Sequence, residues 1–147
     1  MNSPTIDNAL REIKELLEKK LENLAYKITS RFATHCISGI DFKRRFPKEG
    51  FDGVGDYDVL AYCPEKNLWL TIECKYIQPP FSFKDSRRLR DKMFDQSRGK
   101  SHLCKIAKRR QFLASNVETI RSLLKWPNPT TKTLEEVREL YASKDTY

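Results

Sequence analysis

The segment GDYDVLAYCPEKNLWLTIECKY, residues 55–76, constrains the fold of this chain more than any other. Two apolar runs, Asp58–Cys63 and Leu68–Tyr76, flank the turn-forming residues Pro64, Glu65, Lys66 and Asn67, which predicts a β-hairpin. A loop of four residues sets Cys63 against Leu68, and counting outward sets Asp58 opposite Glu73. Directly opposed residues of antiparallel strands stand about 5 Å apart, so the count brings two carboxylates together. Like charges in that position destabilise a sheet unless a cation lies between them, and hard oxygen donors suit magnesium or manganese. Side chains alternate along a strand, so Lys75 shares a face with Glu73, while Leu68, Leu70, Ile72 and Cys74 point to the apolar face. Asp56 is the rival of Asp58, and the same register sets it opposite Lys75. It lies, however, at the end of the irregular approach Gly53-Val54-Gly55, whereas Asp58 borders the apolar run directly. An exposed Asp56–Lys75 pair would contribute little.

These residues resemble the PD-(D/E)xK phosphodiesterases of the restriction-endonuclease-like fold. The likeness lies in Asp58, which leads an apolar strand, and in Glu73-Cys74-Lys75, which forms the ExK element at the end of the next strand. Tyr57 stands where the motif's name has proline. The resemblance implies an α/β fold over roughly residues 7–115, a central mixed β-sheet of three to four strands flanked by α-helices. It implies that Asp58, Glu73 and the Cys74 main-chain carbonyl hold Mg2+ or Mn2+, and that Lys75 orients or activates the attacking water. Asp58, Glu73 and Lys75 are then the catalytic residues. In many members a glutamate of the first helix adds or steadies a metal ligand. Glu18 and Glu22 are placed for that here, and Glu22, closer to the following strand, is the candidate. The implied activity is metal-dependent hydrolysis of DNA phosphodiester bonds by an endonuclease, with RNA left open as substrate. No motif for reading bases is visible, so cutting is expected to be structure-selective or non-specific.

A chain of 147 residues suffices for one cored domain but not for two. Residues 1–115 carry the expected nuclease-like core, and residues 116–147 a helical extension of the same domain or a linker to a further one. The net charge is +8 with a third of the residues charged, so an anionic partner is the default expectation. No apolar run approaches transmembrane length and the N-terminus lacks a signal-peptide layout, which predicts a cytoplasmic protein with no membrane partner. A homodimer and a part of a larger multidomain protein both fit. Cys36, Cys63, Cys74 and Cys104 form no CxxC pair, which argues for ordinary thiols and against a zinc site or disulfide framework. His35 and His102 are too isolated to form a ligand cluster.

Ile6, Leu10, Ile13, Leu17, Leu21, Leu24 and Ile28 recur at helical spacing and predict a long first helix. Residues 33–47 read as a strand or bent pair interrupted at Gly39, and Lys43, Arg44 and Arg45 at its end are candidate phosphate contacts. Asp85 or Ser86 can cap a second long helix with a weak point at Gly99. It carries Lys100, Lys105, Lys108 and Arg109, assigned to the nucleic-acid backbone because phosphate contacts supply most non-specific affinity. Gln96, Arg98 and Lys100 resemble helix residues that some family members aim at the scissile region. Gly99-Lys100-Ser101 is no P-loop, since Phe94 replaces the required earlier glycine. Asn116–Trp126 predicts a short helix, and Thr133 with Glu136 a capping box for a last helix ending near Ala142. The family's sheet normally gains a strand after its second helix, and the only candidate is residues 111–117, unless the chain is part of something longer. Two other readings compete: a nucleic-acid-binding module of the same fold that does not cut and serves within a larger system, and a basic structural domain that binds an acidic protein.

Overall fold

The hairpin closes in the register that its loop length dictates. In the computed structural model, which describes residues 4–76, 87 and 102–144, strand β2 (Tyr57–Cys63) turns through Pro64–Asn67 into β3 (Leu68–Tyr76). Cys63 pairs with Leu68 and Val59 with Ile72. Asn67 takes the left-handed conformation at φ 50°, and its side chain donates to the Thr133 carbonyl at 3.0 Å. Asparagine tolerates that conformation better than most residues, so the turn forms at little cost.

Strand β1 (His35–Ile40) joins the outer side of β2 in antiparallel fashion. A further strand, β4 (Glu136–Lys144), runs parallel to β3, giving a mixed sheet in the order β1-β2-β3-β4. Helix α1 (Pro4–Phe32) covers one face, where Leu21 and Ala25 meet Val59, Leu70, Ile72 and Cys74. A short helix α2 (Phe42–Arg45) follows β1, and Asp41 caps it by accepting from Arg44 N–H at 3.3 Å. Helix α3 (His102–Leu123) covers the other face, where Phe112, Leu113, Val117 and Ile120 meet Leu60, Tyr62 and Trp69. The larger core sits there, and each fully buried side chain such as Trp69, Leu60 or Leu113 contributes about 2 kcal/mol. Phe42, Phe51, Tyr57 and Phe112 form an edge-to-face aromatic group that ties the β1–β2 connection to α3.

Four expectations are corrected. The last helix predicted from Thr133 and Glu136 is strand β4, which pairs with β3 along its whole length, from Leu68–Glu136 to Tyr76–Lys144. Residues 111–117 are not a strand but lie within α3, and the separate helix expected from Asn116 is the second limb of α3. Asn116 departs from helical geometry (φ −127°, ψ 17°), and its amide donates to the Phe112 carbonyl at 2.8 Å, which marks a kink between the limbs. In α1 the predicted stripe is only half-buried at Leu17 and Leu21, while Ile6, Leu10, Ile13, Leu24 and Ile28 remain exposed. The capped start of the second helix at Asp85 or Ser86, with Gln96, Arg98 and Lys100, lies outside the described residues. Among the described residues, no helix is long and apolar enough to cross a membrane.

Candidate functional site

The polar site begins where the regularity of the sheet ends. The β2–β3 ladder stops at Val59–Ile72, and one step further the same count sets Asp58 opposite Glu73. On the other side of β2, Ser38 pairs with Val59 and Ile40 with Tyr57, so Gly39 stands beside Asp58. In place of a further ladder bond, the Cys74 N–H donates to Asp58 Oδ2 at 2.7 Å. Alternation also breaks here, since Tyr57 and Leu60 pack in the same core cluster although their positions differ by an odd number. Gly39 lies at φ +64°, and a Cβ there would come 3.5 Å from Glu22 Oε1. That distance is an ordinary contact, so α1 sets the Glu22 carboxylate against the end of β1, and it is the positive φ that favours glycine at position 39.

Three acids from three elements therefore share one neighbourhood: Glu22 of α1, Asp58 of β2 and Glu73 of β3. Burial, followed by the charge of Asp58, pushes the Glu73 carboxyl up to about 7. Glu22 is raised by the same two causes in the same order. Asp58 is raised by burial, against the lowering effects of the Cys74 N–H, Lys75 and Arg109. Each acid thus resists ionisation because charge is confined away from water near other acids, which a cation would relieve. One cation is already present, since Arg109 Nη2 lies 2.9 Å from Glu73 Oε2 with the two side chains 12 and 15% exposed. Lys75 lies near enough to favour the ionised forms of both Asp58 and Glu73. On the far side of β3, Tyr141 of β4 pairs with Glu73, and its hydroxyl is raised to about 12 by burial and then by Glu73.

No family model matches the chain, and neither does any curated protein or any solved structure. The chemistry of the site is therefore read from its own geometry. Oxygen donors available to a hard cation are the carboxylates of Asp58, Glu73 and Glu22 and the Cys74 carbonyl, a set whose chemistry fits Mg2+ or Mn2+. Among the described residues, no three His, Cys, Asp or Glu side chains form a ready-made metal cluster. One oxygen of Asp58 is engaged by the Cys74 N–H, one of Glu73 by Arg109 and one of Glu22 by Lys19, so a cation would meet each acid through its other oxygen or displace the present partner.

The basic candidates divide into two groups. Lys43, Arg44 and Arg45 are exposed on α2 and Lys105 and Lys108 on α3, while Lys100 lies outside the described residues. Arg44 and Arg45 border a cleft of about 330 Å³ that also contains Asp41 and Asp56, beside Gly39. Arg109, expected among the phosphate contacts, is paired with Glu73. Glu18, set aside in favour of Glu22, also acts on Glu73 electrostatically. Asp56 is exposed in the loop before β2, and its charge raises Asp58 and Glu22. Neither the role of Arg109 nor that of Tyr141 could be read from the sequence, because each depends on an element packed against β3 from far along the chain.

Proposed function

We propose that the protein is a Mg2+- or Mn2+-dependent endonuclease of the restriction-endonuclease-like class that hydrolyses DNA phosphodiester bonds in the cytoplasm. The observation that carries the reading is the end of the hairpin: Asp58 across from Glu73, its carboxylate on the Cys74 N–H, and Lys75 two residues on. The order of elements supports it, because the resembled fold takes a further strand after its second helix and β4 follows α3. The net charge of +8 and the exposed lysines and arginines of α2 and α3 suit a polyanionic substrate.

Asp58, Glu73 and the Cys74 carbonyl would hold the cation, with Glu22 steadying them from α1. When bound, such an ion supplies Lewis-acid stabilisation of the charge that develops on the phosphoryl oxygens. Lys75 would orient the attacking water by donating a hydrogen bond to it from its ammonium. The Cys74 N–H keeps the Asp58 carboxylate fixed across the hairpin, so that the ligand is oriented before the substrate arrives. Lys43, Arg44, Arg45, Lys105 and Lys108 hold the substrate backbone outside the site.

The test is nicking of supercoiled plasmid DNA with manganese, with chelator, and by Asp58→Asn and Lys75→Ala. Cleavage that needs the metal and both side chains supports the reading. Lys75→Ala should keep most of the DNA affinity, since one ammonium among many basic groups carries a small share of it. A second reading, a DNA-binding module that does not cut, is favoured by the Arg109–Glu73 ion pair, which supplies Glu73 with a cation from within the chain. DNA binding without cleavage in any divalent metal would establish that alternative.

A further inference from the structure

Arg109 differs from the other basic residues of α3 in what holds it. Its main chain is anchored, because the Tyr57 hydroxyl donates to the Arg109 carbonyl at 2.6 Å and ties the helix to the start of β2. Its guanidinium is largely withdrawn from solvent against Glu73. Nη1 would lie 3.3 Å from a Cβ placed on Gly55, and Gly55 sits at φ +87°. Bare backbone on one side and a carboxylate on another make a berth shaped for a planar cation.

That carboxylate is also the one assigned above to a divalent cation. An ion of that charge on Glu73 would face the guanidinium across a single carboxyl group, and two cations at such range repel strongly where water is scarce. A guanidinium displaced from Glu73 has another partner to hand, because its planar fork matches a phosphate. Lys105 and Lys108 lie exposed on the same helix, where the polyanion would run.

We propose that Arg109 exchanges Glu73 for a nucleic-acid phosphate when the divalent cation binds, so that one side chain couples the two binding events. The proposal rests on the metal-site reading above. Each ligand then raises the affinity of the protein for the other by the same factor. In the free protein Arg109 is a positioning residue for Glu73, and in the complex it is a phosphate contact.

Manganese titrations by calorimetry, with and without a phosphorothioate duplex that resists hydrolysis, test this on the wild type, Arg109→Gln and Arg109→Lys. Without duplex, Arg109→Gln should bind manganese more tightly, on the order of tenfold, because a competing cation is gone. The gain in manganese affinity that the duplex confers should shrink by about tenfold in Arg109→Gln, with Arg109→Lys between it and the wild type. A residue with a merely structural role would weaken both affinities instead of raising one. Should Arg109→Gln fail to fold, Arg109→Lys still decides, since loss of the planar fork must reduce the gain. A gain in the variants equal to that of the wild type overturns the proposal. A wild type that binds duplex but no manganese overturns the metal-site reading itself, and the coupling with it.

Discussion

Replacing Glu73 by glutamine should change how the stability of the protein depends on pH. The carboxyl is raised from its ordinary 4.5 to about 7, first by burial and then by the charge of Asp58. The folded chain therefore holds this proton more tightly than the unfolded one does. Its contribution to stability is fully present below about 4.5 and is lost as pH rises through about 7. At about 1.4 kcal/mol per pH unit over that window, ionising Glu73 costs the folded state about 3 kcal/mol. The attraction of Arg109 is already included, since it lowers the carboxyl against the two larger effects. Glutamine keeps the shape and an acceptor for Arg109 but cannot ionise. Melting followed by circular dichroism from pH 4.5 to 8 should then show the variant gaining on the wild type as pH rises. About 3 kcal/mol corresponds to about 5–10 °C in a domain of this size. Any constant offset from altered hydrogen bonding drops out of the comparison. A melting difference that does not vary with pH would refute the idea that Glu73 is confined with other acids.

Three further outcomes are expected. Replacing Lys105 and Lys108 by alanine should weaken binding to all DNA sequences alike and lower the salt slope by about 0.9 per lost phosphate contact, read from titrations at several salt concentrations. Arg121 is 8% exposed, stacks over the Tyr62 ring at 5.1 Å and pairs with Glu135, which also accepts from the Trp69 indole at 2.9 Å. Glu135→Ala should therefore destabilise the fold by about 3 kcal/mol in urea titration, because it leaves a buried charge unpaired. Gly39→Ala should cost about 1–2 kcal/mol through its positive φ, and a wild-type urea midpoint would show that the backbone at Gly39 relaxes freely.

The hairpin was legible because its register follows from loop length alone, a local property fixed by Pro64 to Asn67. Strand β4 was not legible. Glu136, Val137, Leu140 and Tyr141 fit a helical period as well as a strand, and Thr133 with Glu136 mimics a helix start. What decides the matter is parallel pairing with β3, a contact between residues 68 positions apart that no local period can report. The pairing of Arg109 with Glu73 is hidden from the sequence for a related reason. In the sequence Arg109 is one of a run of basic residues, and only the docking of α3 on the sheet separates it from exposed Lys105 and Lys108. For α1 the stripe was visible but not its extent, since a helix of 29 residues runs well beyond what four strands can cover.

The parallel partnership of β3 and β4 governs the order in which the molecule can become itself. Hairpin β2–β3 closes through a short turn, whereas α3 lies between β3 and β4 in the chain, so pairing β4 with β3 closes a much longer loop at a higher entropic cost. Pulse-labelled hydrogen exchange should find the amides of β2 and β3 protected before those of β4. Until then Glu73 lacks Tyr141 at its side, and Trp69 lacks the Glu135 that precedes β4. A chain with the hairpin closed and β4 not yet docked would hold Asp58 and Glu73 without Tyr141 beside them, so completion of the site depends on its most distant strand.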